Sequence, residues 1–189
     1  MDTVRSVCVF CFRTQGARSW QLVSDEVMGG LSDGHFDSTD SGRARFSGTL
    51  SLKNNGGFCA VRTSNMDFDF APFEGVILRV NGDGRSYQFR VRNHTSINEI
   101  SYRAIFDTET DQWVTVRIPF RSMSPVFRGR TISGQPLVDP SKIQQIGFLI
   151  ADKKMGRFRL DVDWIKAYSG NPERRDFLSP EAPDSCQRG

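Results

Sequence analysis

Two cysteines near the start of the chain are the first side chains whose spacing could support chemistry. Cys8 and Cys11 form a C-x-x-C pair, a spacing found in zinc sites and thiol redox centres. However, the stretch 7–12 (Val-Cys-Val-Phe-Cys-Phe) is typical of a β-strand, in which residues three apart point to opposite faces. The two thiols could then share one metal ion only if a turn intervened, and no second C-x-x-C or histidine pair supplies further ligands. We therefore expect ordinary thiols, with neither a metal nor a cofactor.

Glycines, acids and histidines do not combine into a recognisable catalytic motif. The Gly29–Gly30 pair and the segment 82–84 lack the lysine and the following helix of a phosphate-binding loop. The acidic residues fall mostly in expected turns or at outward positions, where they are solvated by default. The two histidines, His35 and His94, do not lie beside a nucleophile motif. We expect a protein that has no catalytic residues and works by binding.

Two charged groups in expected loops are candidates for binding. The first consists of Arg128, Gly129 and Arg130, and the second contains Asp152 and Lys153. They could form a polar docking surface, because arginine offers planar, bidentate hydrogen bonds. They could equally form a salt bridge between an arginine and the aspartate that ties down a long connection. The sequence leaves both interpretations open, and both can hold at once.

A third candidate is the stretch from Ser24 to Ser32, which interrupts the strand pattern. It contains Asp25 and places Gly29 and Gly30 beside Met28, whose apolar side chain we expect to be exposed. Irregular loops carried on a rigid framework often hold binding residues. Such a loop needs regular strands or helices on either side to hold it in place.

Alternation of apolar and polar residues with period two runs through most of the chain and predicts strands buried on one face. Between the apolar positions, Gln88, Arg90 and Arg92 are expected to point outward. The predicted inward rows are Phe46, Leu50 and Leu52; Val76, Leu78 and Val80; Tyr87, Phe89 and Val91; Ile100, Tyr102, Ala104 and Phe106; Val114, Val116, Ile118 and Phe120; Ile146, Phe148 and Ile150; and Phe158, Leu160, Val162 and Trp164.

The turns between these rows indicate an all-β fold. The Asn-Gly-Asp-Gly segment at 81–84 predicts a hairpin turn. A single helical turn is expected at 139–142, with Asp139 as N-cap and Pro140 at the first helical position. A long connection spans 119–142. About ten short strands with such turns favour a two-sheet sandwich or a barrel over alternating strands and helices.

Length and composition agree with one soluble domain. A chain of 189 residues suits a single domain, and its 15 phenylalanines are expected to fill a core. No run of apolar residues is long enough to span a membrane. The net charge of +3 does not by itself indicate nucleic-acid binding. We expect the domain to cover residues 7–168 and the proline-containing stretch 169–189 to be a disordered tail.

Several segments, in this order and spacing, recur in one known family. They are Trp20–Ser32, Phe46–Leu52, Asn55–Ala60, Leu78–Arg85, Trp113, Ile118–Phe120, Phe127–Arg130 and Ile146–Lys153. Together they resemble the complex I intermediate-associated protein family, the assembly factors of respiratory complex I, over nearly the whole chain from about residue 7 to 168. The family's Trp-x-x-x-x-Asp-x-x-Met-Gly-Gly pattern falls on Trp20, Asp25, Met28, Gly29 and Gly30.

The resemblance implies a galactose-binding-domain-like jelly roll, which agrees with the strand pattern. It also implies a non-enzymatic assembly factor or chaperone that binds protein subunits of a membrane complex under construction. The partner-binding candidates are then Trp20, Asp25, Met28, Gly29, Gly30, Arg128, Gly129, Arg130, Asp152 and Lys153.

The resemblance also implies where the protein is located, and the fold leaves one alternative function open. In a eukaryote that has complex I the protein is expected in mitochondria, and otherwise in the cytoplasm. The N-terminal stretch carries arginines and no acid beyond Asp2, but we expect no cleavable presequence because the strand pattern begins at residue 7. The alternative is a carbohydrate- or small-ligand-binding module, which needs exposed rings. Its candidates, Trp113, Tyr87 and Tyr102, are expected to face the core.

Overall fold

The computed structural model describes residues 5–25, 29–93 and 100–170. The only α-helical turn in this part of the chain is α1 (Phe12–Gln15), and shorter 3₁₀ turns lie at Lys53–Asn55, Phe120–Ser122 and Pro140–Lys142. The strands are β1 (Arg5–Cys11), β2 (Trp20–Ser24), β3 (Asp33–Ser38), β4 (Ala44–Leu50), β5 (Cys59–Thr63), β6 (Gly75–Asn81), β7 (Ser86–Arg92), β8 (Ser101–Asp107), β9 (Trp113–Pro119), β10 (Ser124–Phe127), β11 (Arg130–Thr131), β12 (Gln145–Ile150) and β13 (Gly156–Ser169).

These strands pair antiparallel in two sheets. The six-stranded sheet has the order β3-β4-β13-β6-β9, and β1 follows β4 along the same side of the long strand β13. The seven-stranded sheet has the order β11-β10-β8-β7-β12-β5-β2. Apolar side chains from both sheets form one core between them. The all-β, two-sheet sandwich predicted from the sequence is confirmed.

Most of the predicted inward rows form this core. Tyr87, Phe89 and Val91 are fully buried, because alternate residues of β7 face the opposite sheet. Their counterparts on β12, among them Phe148, are buried too. Edge-to-face contacts such as Phe89–Phe148, whose ring centroids are 5.6 Å apart, add specific aromatic packing to the buried area.

Two residues of the predicted inward rows lie outside this core. Leu52 is exposed because β4 ends at Leu50. Trp164 is displaced because the register of β13 shifts between Val162 and Trp164, so that Ile165 takes the buried position instead. Such a bulge adds one residue and reverses the alternation after it.

The predicted hairpin at 81–84 is wrong. The chain does turn there, with Gly84 at φ 83°, but β6 belongs to the six-stranded sheet and β7 to the seven-stranded sheet. Both sides of β6 are taken by β13 and β9, so β7 cannot pair with it. The turn therefore carries the chain from one sheet to the other.

The long connection 119–142 contains structure that the sequence pattern did not predict. Strands β10 and β11 form a small hairpin whose two turn residues, Arg128 and Gly129, have φ of 47° and 79°. The helical turn predicted at its end is confirmed, and the side chain of Asp139 accepts a hydrogen bond from the backbone N–H of Ser141. The predicted tail remains a prediction, because β13 runs to Ser169 and residues 171–189 lie outside the described residues.

Candidate functional site

The register of the seven-stranded sheet places several loops at one end. Ser24 pairs with Cys59, and Cys59 pairs with Ile150. Leu149 pairs with Gln88, near the start of β7. The loops that follow β2 and β12 therefore lie beside those that precede β5 and β7. We call this the Asp25 end of the sheet.

Asp25 is fully buried and joins two of these loops. One carboxylate oxygen, Oδ1, accepts a hydrogen bond from the backbone N–H of Ser32 at 2.9 Å. The other, Oδ2, accepts from the Ser32 hydroxyl at 2.6 Å and from the backbone N–H groups of Gly57 at 2.6 Å and Phe58 at 3.2 Å. Burial opposes ionisation of Asp25, but these hydrogen bonds outweigh it and lower the pKa of the carboxyl. The negative charge of Asp25 therefore stabilises the two loops through hydrogen bonds within the protein.

The glycines near Asp25 leave room for this arrangement. A Cβ on Gly30 would lie 2.3 Å from the Asp25 carboxyl carbon, and one on Gly56 would lie 2.7 Å from Oδ2. Gly29 has φ of 83°, a conformation that disfavours other residues. Local contacts and backbone geometry thus explain three positions of the Asp-x-x-Met-Gly-Gly pattern, namely Asp25, Gly29 and Gly30. Met28 lies outside the described residues.

Trp20, at the start of the same pattern, belongs to the core. Its ring centroid lies 5.0 Å from that of Phe36, 5.3 Å from that of Phe10 and 5.9 Å from that of Phe148. Trp20 begins β2, so it anchors the strand that leads into Asp25. Trp20 and Asp25 are buried in the described structure, and their contacts there are internal.

Asp152 forms a buried ion pair with Arg85, a residue that the sequence reasoning did not single out. The contact is bidentate, with Arg85 Nε to Oδ2 at 2.9 Å and Nη2 to Oδ1 at 2.6 Å. Arg85 also donates to the carbonyl groups of Lys154, Gly156 and Arg157. Burial opposes ionisation of Asp152, but the bonds from Arg85 and from the backbone N–H of Lys154 outweigh it and lower its pKa. The predicted alternative of a salt bridge between Asp152 and Arg128 or Arg130 is wrong.

Arg128, Gly129 and Arg130 lie away from the Asp25 end. Val126 on β10 pairs with Ser101 at the start of β8, so the following turn lies at the opposite end of the sheet. The three residues are exposed, and the Arg128 guanidinium lies 5.2 Å from the ring centroid of Phe127. The structure thus brings Asp25, Gly29, Gly30, Asp152 and Lys153 to one end and leaves this hairpin at the other.

Three exposed apolar side chains also lie on loops at the Asp25 end. They are Leu31, Leu52 and Met155, which are 57%, 39% and 59% exposed. Gly156 pairs with Leu50, which places Met155 near the loop that carries Leu52. The Asn54 side chain donates to the carbonyl of Gly29 at 3.3 Å and links that loop to the one carrying Leu31. The sequence analysis assigned Leu52 to the core and did not single out Leu31 or Met155, because an isolated apolar residue in a loop does not reveal its neighbours.

The cysteines do not form a site in the described residues. These contain no group of three or more His, Cys, Asp or Glu side chains placed to hold a metal ion. Cys8 is partly buried and Cys11 is buried on β1. Cys59 is fully buried, and burial raises the pKa of its thiol to about 12. Cys59 is therefore a thiol and not a thiolate at neutral pH.

Two tryptophans lie on the outer face of the six-stranded sheet. Trp113 was expected to face the core, but it alternates with Val114 and is only partly buried. The guanidinium groups of Arg43 and Arg79 lie 4.6 and 5.7 Å from its ring centroid. The Lys166 ammonium lies 4.5 Å from the ring of Trp164. Tyr87 and Tyr102 are buried, as expected.

Solved structures with a similar fold include carbohydrate-binding modules. A family 11 module from Clostridium thermocellum, in complex with a β-1,3-1,4-mixed-linked tetrasaccharide, aligns with a TM-score of 0.63 at 22% identity, over 88% of this chain and 96% of the module. A family 30 module aligns with a TM-score of 0.56 at 15% identity, over 93% of each chain. At these identities the likeness shows a galactose-binding-like β-sandwich fold and nothing about the ligand.

None of the helical segments in the described part of the chain has the length and hydropathy of a membrane-spanning helix.

Residues 10–162 match the family model described as complex I intermediate-associated protein 30 (CIA30). A mouse relative, named complex I intermediate-associated protein 30, mitochondrial, is 28% identical over 87% of this chain. A Neurospora crassa relative with the same name is 28% identical over 66% of it. The chain spans 56% and 51% of the lengths of these two relatives. An uncharacterized protein of Schizosaccharomyces pombe is 31% identical over 90% of this chain and 86% of its own length. The chain belongs to the complex I intermediate-associated protein 30 family.

Proposed function

We propose that this protein assists the assembly of respiratory complex I by binding protein subunits of the incomplete complex, and that it does so without catalysis. The observation that carries the proposal is the family match over residues 10–162, together with relatives named complex I intermediate-associated protein 30. A mitochondrial location is part of the proposal, because the mouse and Neurospora relatives are named mitochondrial.

The buried carboxylates have structural roles, which supports a function without catalysis. The carboxylates of Asp25 and Asp152, both nearly inaccessible to solvent, are held by hydrogen bonds within the protein. Their lowered pKa values keep them ionised at neutral pH, so neither is suited to act as a general acid or base there. Both residues shape loops, as a binding framework requires.

We place the main partner contact at the Asp25 end. Apolar side chains that become buried supply much of the affinity of protein interfaces, and Leu31, Leu52 and Met155 are exposed there. Gly29, Gly30 and Lys153 lie on the same loops, while Trp20, Asp25 and Asp152 hold those loops in place. The hairpin of Arg128, Gly129 and Arg130 is a second, separate contact surface in this proposal, because it lies at the other end.

The experiment is capture of complex I subunits from cells of the source organism with tagged protein. The Leu31→Glu, Met155→Glu double variant is expected to recover at least about tenfold less of the subunits, since burying an uncompensated charge in an interface is costly. The Val7→Glu, Leu137→Glu variant is the matched control, because these two apolar residues are equally exposed elsewhere. Equal capture by both variants and the wild type would place the contact elsewhere. Capture of no subunit by the wild type would contradict the proposed function.

The alternative of carbohydrate binding has weaker support. Sugar sites use open aromatic faces, and in the described residues Trp113 and Trp164 are each approached by cationic side chains. Calorimetric titration with a β-1,3-1,4-linked tetrasaccharide, which the family 11 module binds, is expected to show no heat of binding. Saturable binding would revive the alternative.

A further inference from the structure

Three arginines lie in one row on the outer face of the seven-stranded sheet. Arg62 on β5 pairs with Gly147 on β12, and Gly147 pairs in turn with Arg90 on β7. Arg90 pairs with Arg103 on β8. The neighbours of these arginines along each strand, such as Val61, point into the core, so the arginine side chains lie on the face turned away from it.

Gly147 keeps the middle of the row free of a side chain. A Cβ at this position would lie 2.4 Å from the carbonyl oxygen of Val61 and 3.1 Å from Cα and Cβ of Arg62. Strands β5 and β12 therefore approach too closely here for any other residue. As a result, the space between Arg62 and Arg90 is bridged only by backbone.

In the part of the chain that the structure describes, no acidic side chain neutralises the charges of this row. Within the described residues, Arg62, Arg90 and Arg103 form no salt bridge. Arg90 donates to the side-chain oxygen of Gln88 at 3.1 and 2.9 Å, and Arg103 donates to the Thr131 hydroxyl at 2.8 Å. The Nε of Arg62 is buried and has no hydrogen-bond partner among the described residues. Among the described residues, the side-chain partners recorded for Arg90 and Arg103 are neutral.

Other arginines of the protein are paired differently. Arg45 contacts Asp161 at 2.6 Å, and Arg85 contacts Asp152 at 2.6 Å. Like charges at directly paired positions, as in Arg90 and Arg103, destabilise a sheet. Burial, with the nearby charges of Arg92 and Arg103, lowers the pKa of Arg90 to about 10, which still leaves it charged at neutral pH. An anion bound on the row would relieve this repulsion.

The length of the row indicates the kind of anion. Three strand spacings separate β5 from β8, or about 14 Å at ~4.8 Å each. An extended peptide rises ~3.3 Å per residue, so acidic side chains four residues apart lie about 13 Å from each other. A single phosphate could reach only one part of such a row. Arg103 also lines a separate groove of about 310 Å³ between β8 and β9, together with Arg117, Ser122 and Ser124.

We propose that the row of Arg62, Arg90 and Arg103 binds an extended acidic segment of a partner protein. This inference deepens the proposed function, on which it rests for the identity of the partner as an assembling subunit. The surface differs from the Asp25 end: it is the face of the sheet, and its chemistry is charge pairing with bidentate hydrogen bonds. The Asp25 end would supply an apolar contact with the partner, and the arginine row an electrostatic one.

The test uses the full chain and a fluorescent heptapeptide that alternates glutamate with serine. Fluorescence anisotropy at low salt is expected to show binding that weakens as salt increases. The Arg62→Gln, Arg90→Gln, Arg103→Gln variant should bind at least about tenfold more weakly, since three charge-assisted contacts are lost. The matched control is the Arg13→Gln, Arg18→Gln, Arg121→Gln variant, which removes the same charge from exposed positions. A cooperative thermal transition in both variants shows that they fold.

Two further ligands distinguish binding of an acidic segment from binding of other anions. A heptapeptide with glutamine in place of glutamate should not bind. Equal loss of peptide affinity in the row variant and the control variant would overturn the proposal, as would no binding by the wild type. Tight, row-dependent binding of inorganic tripolyphosphate without binding of the acidic peptide would also overturn it, in favour of a small-anion site.

This inference and the proposed function can fail separately. If the peptide binds through the row but no complex I subunit is captured by the wild-type protein, the row is supported and the proposed function is contradicted. If the row variant captures the subunits as well as the wild type does and the peptide does not bind, the row is overturned and the proposed function stands.

Discussion

Replacing Asp25 with asparagine tests whether its carboxylate holds the loops of the Asp25 end. The substitution keeps the size of the side chain but removes its charge and turns one oxygen into an NH₂ group. With the amide oxygen placed where Oδ2 accepts three hydrogen bonds, the NH₂ group faces the backbone N–H of Ser32, which Oδ1 accepts in the wild type. Two donors then face each other in a buried position.

The size of the effect follows from these contacts. Hydrogen bonds to a charged group contribute about 1.5–3 kcal/mol each, and a buried donor left without an acceptor costs about 1–3 kcal/mol. Asp25→Asn loses one such bond outright and weakens three, so we expect a loss of about 3 kcal/mol in the free energy of unfolding. Asp25→Ala, which leaves four donors without their acceptor, should lose more, about 4–5 kcal/mol.

Equilibrium unfolding in urea measures this loss, with the dependence on urea concentration unchanged between variants. Asp37→Asn is the matched control, because Asp37 is exposed on β3, and it should stay within about 0.5 kcal/mol of the wild type. A loss of less than about 0.5 kcal/mol for Asp25→Asn would refute the assignment of Asp25 as the residue that holds these loops.

Gly30, the two buried carboxylates and Cys59 each allow a further measurement. Gly30→Ala should lower the free energy of unfolding by about 1–3 kcal/mol in urea, because its Cβ would meet the Asp25 carboxyl at 2.3 Å; no loss would mean that the loop rearranges freely. The folded pKa values of Asp25 and Asp152 lie below their unfolded values, so the stability they contribute is fully present above the unfolded pKa and is lost as pH falls through the folded one. Urea unfolding should therefore show less loss on acidification in Asp25→Asn than in the wild type, and parallel curves would contradict this. Cys59 should resist alkylation at pH 8 in the native state and react once unfolded, as peptide mass spectrometry can show; rapid native modification would mean that β5 opens.

The core was predictable from the sequence wherever a strand alternates without interruption. Tyr87, Phe89 and Val91 are spaced two apart, and that spacing alone puts them on one face. Trp164 has the same spacing from Val162, but the bulge between them depends on how β13 fits two neighbouring strands. A local pattern carries no information about such a fit.

The turn at 81–84 shows the same limit at the level of topology. Glycines and asparagine indicate where the chain reverses, but the choice of sheet depends on which strands already occupy the edges of β6. The prediction of a turn was therefore right, and the prediction of a hairpin was wrong.

The sequence indicated which residues belong to the candidate site better than it indicated what each of them contacts. Asp25 and Asp152 stand out in the sequence, but their partners Gly57 and Arg85 are 32 and 67 residues away in the chain. The arginine row was hidden for a similar reason. Arg90 was expected to point outward, yet its alignment with Arg62 appears only when β12 is inserted between β5 and β7.

The most direct test of the account is the amount of assembled complex I in cells of the source organism that lack this protein. Native gel electrophoresis of membrane extracts is expected to show a fall in the complete complex and an accumulation of partial assemblies. Expression of the wild-type chain should restore the complete complex, whereas the Leu31→Glu, Met155→Glu variant should not. A normal amount of complete complex I in cells without the protein would contradict the proposed function.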